Sequence, residues 1–126
     1  TNLEHDELIE YVDLPSLPFA ERSHYLKVRD RASYAFALVS VAAILDVDRS
    51  KNVKAVRVAL GGVAHKPWRA SKTEQALIGK TADEKTFRAE AEAELARAKG
   101  YNHNSFKIEL AKRAMVRALS TVAAMT

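Results

Sequence analysis

The chain has 126 residues, 48% apolar and 29% charged, with 20 Lys and Arg against 16 Asp and Glu. This mixture allows one core that folds alone and excludes a disordered chain, while a net charge of +4 falls short of a dedicated nucleic-acid arm. The absence of cysteine excludes disulfides, a cysteine nucleophile, thiolate metal sites and iron–sulfur ligation within these residues, and no uncharged apolar run reaches the roughly 18 residues a membrane span needs.

The chain opens on an acidic segment, Thr1-Asn2-Leu3-Glu4-His5-Asp6-Glu7, without an initiating methionine. This fits a processed product or a piece of something longer, not a basic signal sequence. Glu7 to Leu14 is then predicted as a first strand, stopped by Pro15 and Pro18, which cannot donate to a ladder. From Ser23 to Arg29 a second strand alternates, with His24, Leu26 and Val28 on one face and Tyr25, Lys27 and Arg29 on the other. A third strand, Phe36 to Val47, is apolar on both faces, as expected of a central strand or one covered on both sides. After a turn over residues 46–52, a fourth runs from Val53 to Val63. It sets Val56, Val58 and Leu60 opposite Arg57 and Ala59, and the pair Gly61-Gly62 loosens its end.

Beyond Pro67 the period becomes helical. Ser71-Lys72-Thr73-Glu74 and Thr81-Ala82-Asp83-Glu84 both fit the capping box, in which a hydroxyl and a carboxylate satisfy unpaired backbone N–H groups. A short helix is expected to end near Gly79. A second, with Phe87, Ala91, Leu95 and Ala98 on its apolar stripe, stops at Gly100. A third opens near Asn104 and buries Phe106, Leu110, Ala114, Leu119 and Val122. Strands first and helices last predict a single α+β domain over residues 1–126, with an antiparallel sheet of three to four strands packed on about three helices.

Four histidines, His5, His24, His65 and His103, lie far apart in sequence without an HExxH motif, so no metal site is expected. No GxSxG elbow surrounds Ser33 or Ser40, and Glu90, Glu92 and Glu94 read as solvated helix surface, so no catalytic residue is assigned. The stretch Gly61 to Arg69 has two readings. Either its paired glycines let a ligand approach beside Trp68 and neighbouring cations, or it is a strand-to-helix connection whose Trp68 packs against the helices. The cluster ahead of the third strand carries more. Tyr25, Lys27 and Arg29 share a face, with Tyr34 following at the start of the next strand, a combination that suits a planar ligand gaining negative charge. A solvated face neutralised by Asp30 and other acids is the alternative.

The run Lys27 to Ala42, KVRDRASYAFALVSVA, followed by Val56 to Ala70, VRVALGGVAHKPWRA, and the ending Phe106 to Arg113, FKIELAKR, resembles the C-terminal domain of the FAD-binding medium subunit of xanthine dehydrogenase and aldehyde oxidoreductase type molybdenum enzymes. The resemblance spans most of the chain and is nearest to bacterial aldehyde oxidoreductase flavin subunits. It implies a domain that follows a larger FAD-binding domain, which supplies most FAD contacts. Partner subunits would hold a molybdenum cofactor (the large subunit) and 2Fe-2S clusters (the small one), in the cytoplasm or periplasm of a bacterium. It further implies that this domain helps close the flavin pocket and dock subunits, and that the isolated fragment is inactive. By position and chemistry, Tyr25 is then expected at the flavin edge, or Tyr34 in its place, with Lys27 and Arg29 favouring the reduced, anionic flavin. The alternative is a small basic nucleic-acid-binding module that stacks bases on Tyr25, Tyr34 and Phe36; no membrane or nucleic-acid partner is expected under the first reading.

Overall fold

Branched apolar residues at every second position form three long strands, each offering one face to a common core. In the computed structural model, which describes residues 2–125, these are β1 (Ser23–Val28), β2 (Val39–Val47) and β3 (Val53–Gly61), joined by a short β4 (Trp68–Arg69). All neighbours pair antiparallel in the order β1-β2-β3-β4. Three helices follow: α1 (Ser71–Leu77), α2 (Glu84–Glu94) and α3 (Phe106–Ala123). α3 lies across β2 and β1, α1 packs on β3, and α2 bridges α1 and α3, so the helices form a layer on one side of the sheet. Val41, Ala43 and Leu45 of β2, with Val56, Val58 and Leu60 of β3, are sealed against Leu77, Phe87, Met115 and Leu119.

The predicted α+β architecture is therefore present, with a different fourth strand. Residues 7–14 form no strand: Leu8, Ile9, Tyr11, Val12 and Leu14 are all exposed. Their apolar side chains need a sheet face to cover, and among the described residues the buried face of the sheet is already filled by helices. The edge place opposite β1 is taken instead by Trp68–Arg69. β2 is central, as expected, but covered on one side only; its second apolar face consists of small or half-buried residues such as Ala42 and Ile44.

Neither capping box forms. α1 has Ala70 at its N-cap with no side-chain cap, because Glu74 is drawn to the sheet. Glu74 Oε1 accepts the Val58 N–H at 3.0 Å, and its carboxylate also accepts from the Arg69 guanidinium at 2.9–3.1 Å. The carboxylate thus continues the β3 ladder where β4 has ended. At α2 the cap is Asp83, not Thr81: Asp83 Oδ1 accepts the Thr86 N–H at 2.7 Å, while Thr81 forms a β-bridge with Asn52. α2 ends at Glu94 and leaves Ala98 exposed, well short of Gly100. α3 opens at Phe106, which is 55% exposed because the first turn precedes the sealed part of the helix; its buried stripe begins at Ala111 and includes Met115 and Ala118.

The glycine pair is explained by close approach within the domain. A Cβ on Gly61 would lie 2.3 Å from Ser40 Oγ, and one on Gly62, whose φ is +75°, would lie 2.9 Å from the Leu38 carbonyl oxygen. Among the described residues, no helix is long and apolar enough to cross a membrane.

Candidate cofactor-facing site

The sheet face away from the helices is built by pleat and register. Tyr25 stands opposite Ala42, which stands opposite Ala59 and then Arg69; one row along, Lys27, Ser40 and Gly61 align, and on the other side Ser23, Ile44 and Arg57. Cross-strand partners share a face. An aromatic ring and three cations therefore surround a floor of small side chains, a shape that admits a flat group.

Of the four residues predicted to face a cofactor, the structure brings Tyr25 and Lys27 together on this face, both exposed. Arg29 is exposed just past the end of β1. Tyr34 does not begin the next strand: it sits in the exposed β1–β2 loop at φ +49°, 95% exposed. The Arg31 guanidinium donates to the Tyr34 carbonyl oxygen, and the Leu38 N–H donates to the Val28 carbonyl at 2.9 Å, which closes the loop onto β1. Phe36 lies in the same loop, 98% exposed, and not in the third strand, where the continuous apolar run put it. The strand begins only at Val39, where pairing with Val28 starts.

Arg57 and Arg69 join the face without having been predicted as site residues. Alternation along β3 placed Arg57 opposite the core, but only the β2–β3 register sets it level with Ile44. Arg69 was hidden because β4 is so short; an aromatic and a cation immediately after Pro67 were the available signal of an edge strand. Hydrogen bonding to the Glu74 carboxylate, reinforced by its charge, pushes the Arg69 guanidinium pKa up.

Neither reading of Gly61 to Arg69 holds whole. The glycines make room for Ser40 and Leu38, not for a ligand. Trp68 reaches α2 through its Nε1–H, which donates to Glu94 Oε1 at 3.1 Å, and remains 48% exposed. Among the described residues, no group of three or more metal-ligating side chains converges.

The profile of the CO dehydrogenase flavoprotein C-terminal domain family matches residues 24–122. The chain belongs to this family. It is 48% identical over 115 residues to the aldehyde oxidoreductase FAD-binding subunit PaoB of Escherichia coli (strain K12), a match covering 90% of this chain and 32% of that protein. Solved structures share the fold. Quinoline 2-oxidoreductase from Pseudomonas putida 86 superposes with a TM-score of 0.70 at 26% identity, over 81% of this chain and 36% of that one. Carbon monoxide dehydrogenase from Hydrogenophaga pseudoflava, in a form lacking the Mo-pyranopterin moiety of the molybdenum cofactor, does so with a TM-score of 0.71 at 25% identity, over 82% of this chain and 38% of that one. The chain thus spans about a third of the length of these relatives. Membership of this family leaves the nucleic-acid alternative without support.

Proposed function

We propose that this domain is the C-terminal part of the flavin subunit of a molybdenum-containing oxidoreductase of the aldehyde or xanthine dehydrogenase type. It helps close the FAD site and dock subunits as electrons pass from iron–sulfur clusters to FAD. The observation that carries this reading is the 48% identity to an FAD-binding subunit along 90% of the chain. In this proposal the large molybdenum subunit, the small iron–sulfur subunit and an upstream FAD-binding domain are the partners, and residues 7–14, apolar yet unpaired on this domain, are explained by packing against that neighbour.

The residues present fit one part of FAD and not another. The four glycines, Gly61, Gly62, Gly79 and Gly100, form no glycine-rich phosphate loop, and the first two are closed by Ser40 and Leu38, so the pyrophosphate belongs to the upstream domain. The face around Tyr25 and Lys27 suits the planar ring. FAD, when bound, supplies a ring that takes up electrons and gains negative charge. Tyr25 would meet its edge, with Tyr34 on the loop as the other aromatic contact, while Lys27 and Arg29 would favour the reduced, anionic form electrostatically.

Replacing Lys27 and Arg29 with Ala in the full flavin subunit is expected to lower the flavin midpoint potential, because two cations near the added charge are lost. An unchanged potential together with unchanged FAD occupancy would remove these residues from the site. The isolated domain is expected to retain no FAD and to oxidise no aldehyde.

A further inference from the structure

On the opposite, helix-covered side of the sheet, at its β4 edge, lies a cavity of about 550 Å³. Small-ligand sites range from about 300 to 1,000 Å³, so the space is large enough for a bicyclic molecule. The segment that follows β3, Trp68 of β4, Lys72 of α1, the end of α2 with the segment after it, and the first turns of α3 all contribute to its wall. Val63, Leu95, Ile108 and Ala111 supply buried or half-buried apolar lining. Trp68, the single tryptophan of the chain, adds an aromatic plate that is half open to the cavity side and solvent.

The charge of the wall is one-sided. Lys72, Arg97, Lys99 and Lys107 line it against one carboxylate, Glu94. Both Glu94 oxygens are already engaged: Oε1 by the Trp68 indole N–H at 3.1 Å, and Oε2 by the Thr73 backbone N–H at 3.0 Å and, more weakly, Thr73 Oγ1 at 3.4 Å. Glu94 therefore fixes the indole, and it takes part in none of the ion pairs among the described residues. Lys107 Nζ donates to the Gly62 carbonyl at 2.6 Å, and none of the ion pairs among the described residues includes Lys72, Arg97 or Lys99. An aromatic plate held by a buried carboxylate, an apolar lining and unneutralised cations select for one chemistry.

We propose that this cavity binds a planar aromatic carboxylate, with its ring against Trp68 and its carboxylate among Lys72, Arg97 and Lys99. Ring stacking and charge-assisted hydrogen bonds would both contribute, whereas a cationic analogue would meet like charge and a neutral one would leave the cations unpaired. The site is separate from the Tyr25–Lys27 face, so its failure would leave the flavin reading standing.

The test uses the intact protein that carries this chain, labelled with fluorotryptophan, the Trp68 fluorine resonance being the one that Trp68→Phe removes. Naphthoate is expected to shift that resonance saturably, with naphthamide and naphthylmethylammonium binding much more weakly. Lys72→Gln with Arg97→Gln, both on exposed side chains, should weaken naphthoate binding about tenfold or more, because the charge-assisted hydrogen bonds to its carboxylate are lost. Ala98→Phe, which fills the cavity wall from an exposed position, should abolish it. The unliganded Trp68 resonance in each variant reports whether the fold is intact. A resonance that naphthoate leaves in place, equal shifts from all three probes, or undiminished naphthoate binding in the lysine and arginine variant would each overturn the proposal.

Discussion

Along β2, Val41, Ala43 and Leu45 are sealed beneath the helices, while Ala42 and Ile44, their immediate chain neighbours, face the other way and stay open or half-buried. The two faces of this sheet divide the work of the domain. The covered face is mainly apolar and joins all three helices in one core; the open face around Tyr25 and Lys27 carries small, aromatic and cationic side chains.

The difference can be broken most sharply on β2 itself. Leu45→Ala should destabilise the domain by about 2–5 kcal/mol through lost burial and a residual cavity. Ile44→Ala, one residue away, should cost less than about 1 kcal/mol, because much less apolar area leaves water at that position. Denaturant titration of the two variants makes the comparison directly, and equal losses would mean that the open face is structural too.

Glu74→Ala probes the seam between β3, β4 and α1. It leaves the buried Val58 N–H without its acceptor and should cost about 1–3 kcal/mol, while Glu74→Gln, which keeps an acceptor oxygen, should recover part of that loss in the same titration. The smallest effect is expected at the α2 cap. The Thr86 backbone N–H holds the Asp83 carboxyl below the usual carboxylate range, so its stabilising contribution is present above the ordinary carboxylate pKa and is lost as pH falls through the lowered folded value. Asp83→Ala should therefore lower the unfolding midpoint slightly at neutral pH, and the difference from the parent should vanish in acid. A gap that persists in acid would show that Asp83 acts by something other than its charge.

Much of the covered face was legible before the structure. The alternation of Val56, Val58 and Leu60, and the helical spacing of Phe87, Ala91, Leu119 and Val122, each report burial by a local period. The resemblance to the flavoprotein domain was legible in the same way, as ordered blocks of residues. The boundaries were harder to read. Both capping boxes failed because Glu74 and Thr81 found partners on β3 and at Asn52, contacts distant in sequence that no local motif records.

What the sequence by itself determined was the α+β order, the core alternation and the shared orientation of Tyr25 and Lys27, because a strand's side chains alternate whatever it pairs with. Tertiary structure decided the remainder. The register set Ala42, Ala59, Arg57 and Arg69 around that pair, the two-residue β4 replaced an expected first strand, and Glu94 turned Trp68 into the wall of a cavity. Each of these depends on which segment lies alongside which, and that is settled by the burial of a whole face and the pairing of its polar groups, not by any local pattern.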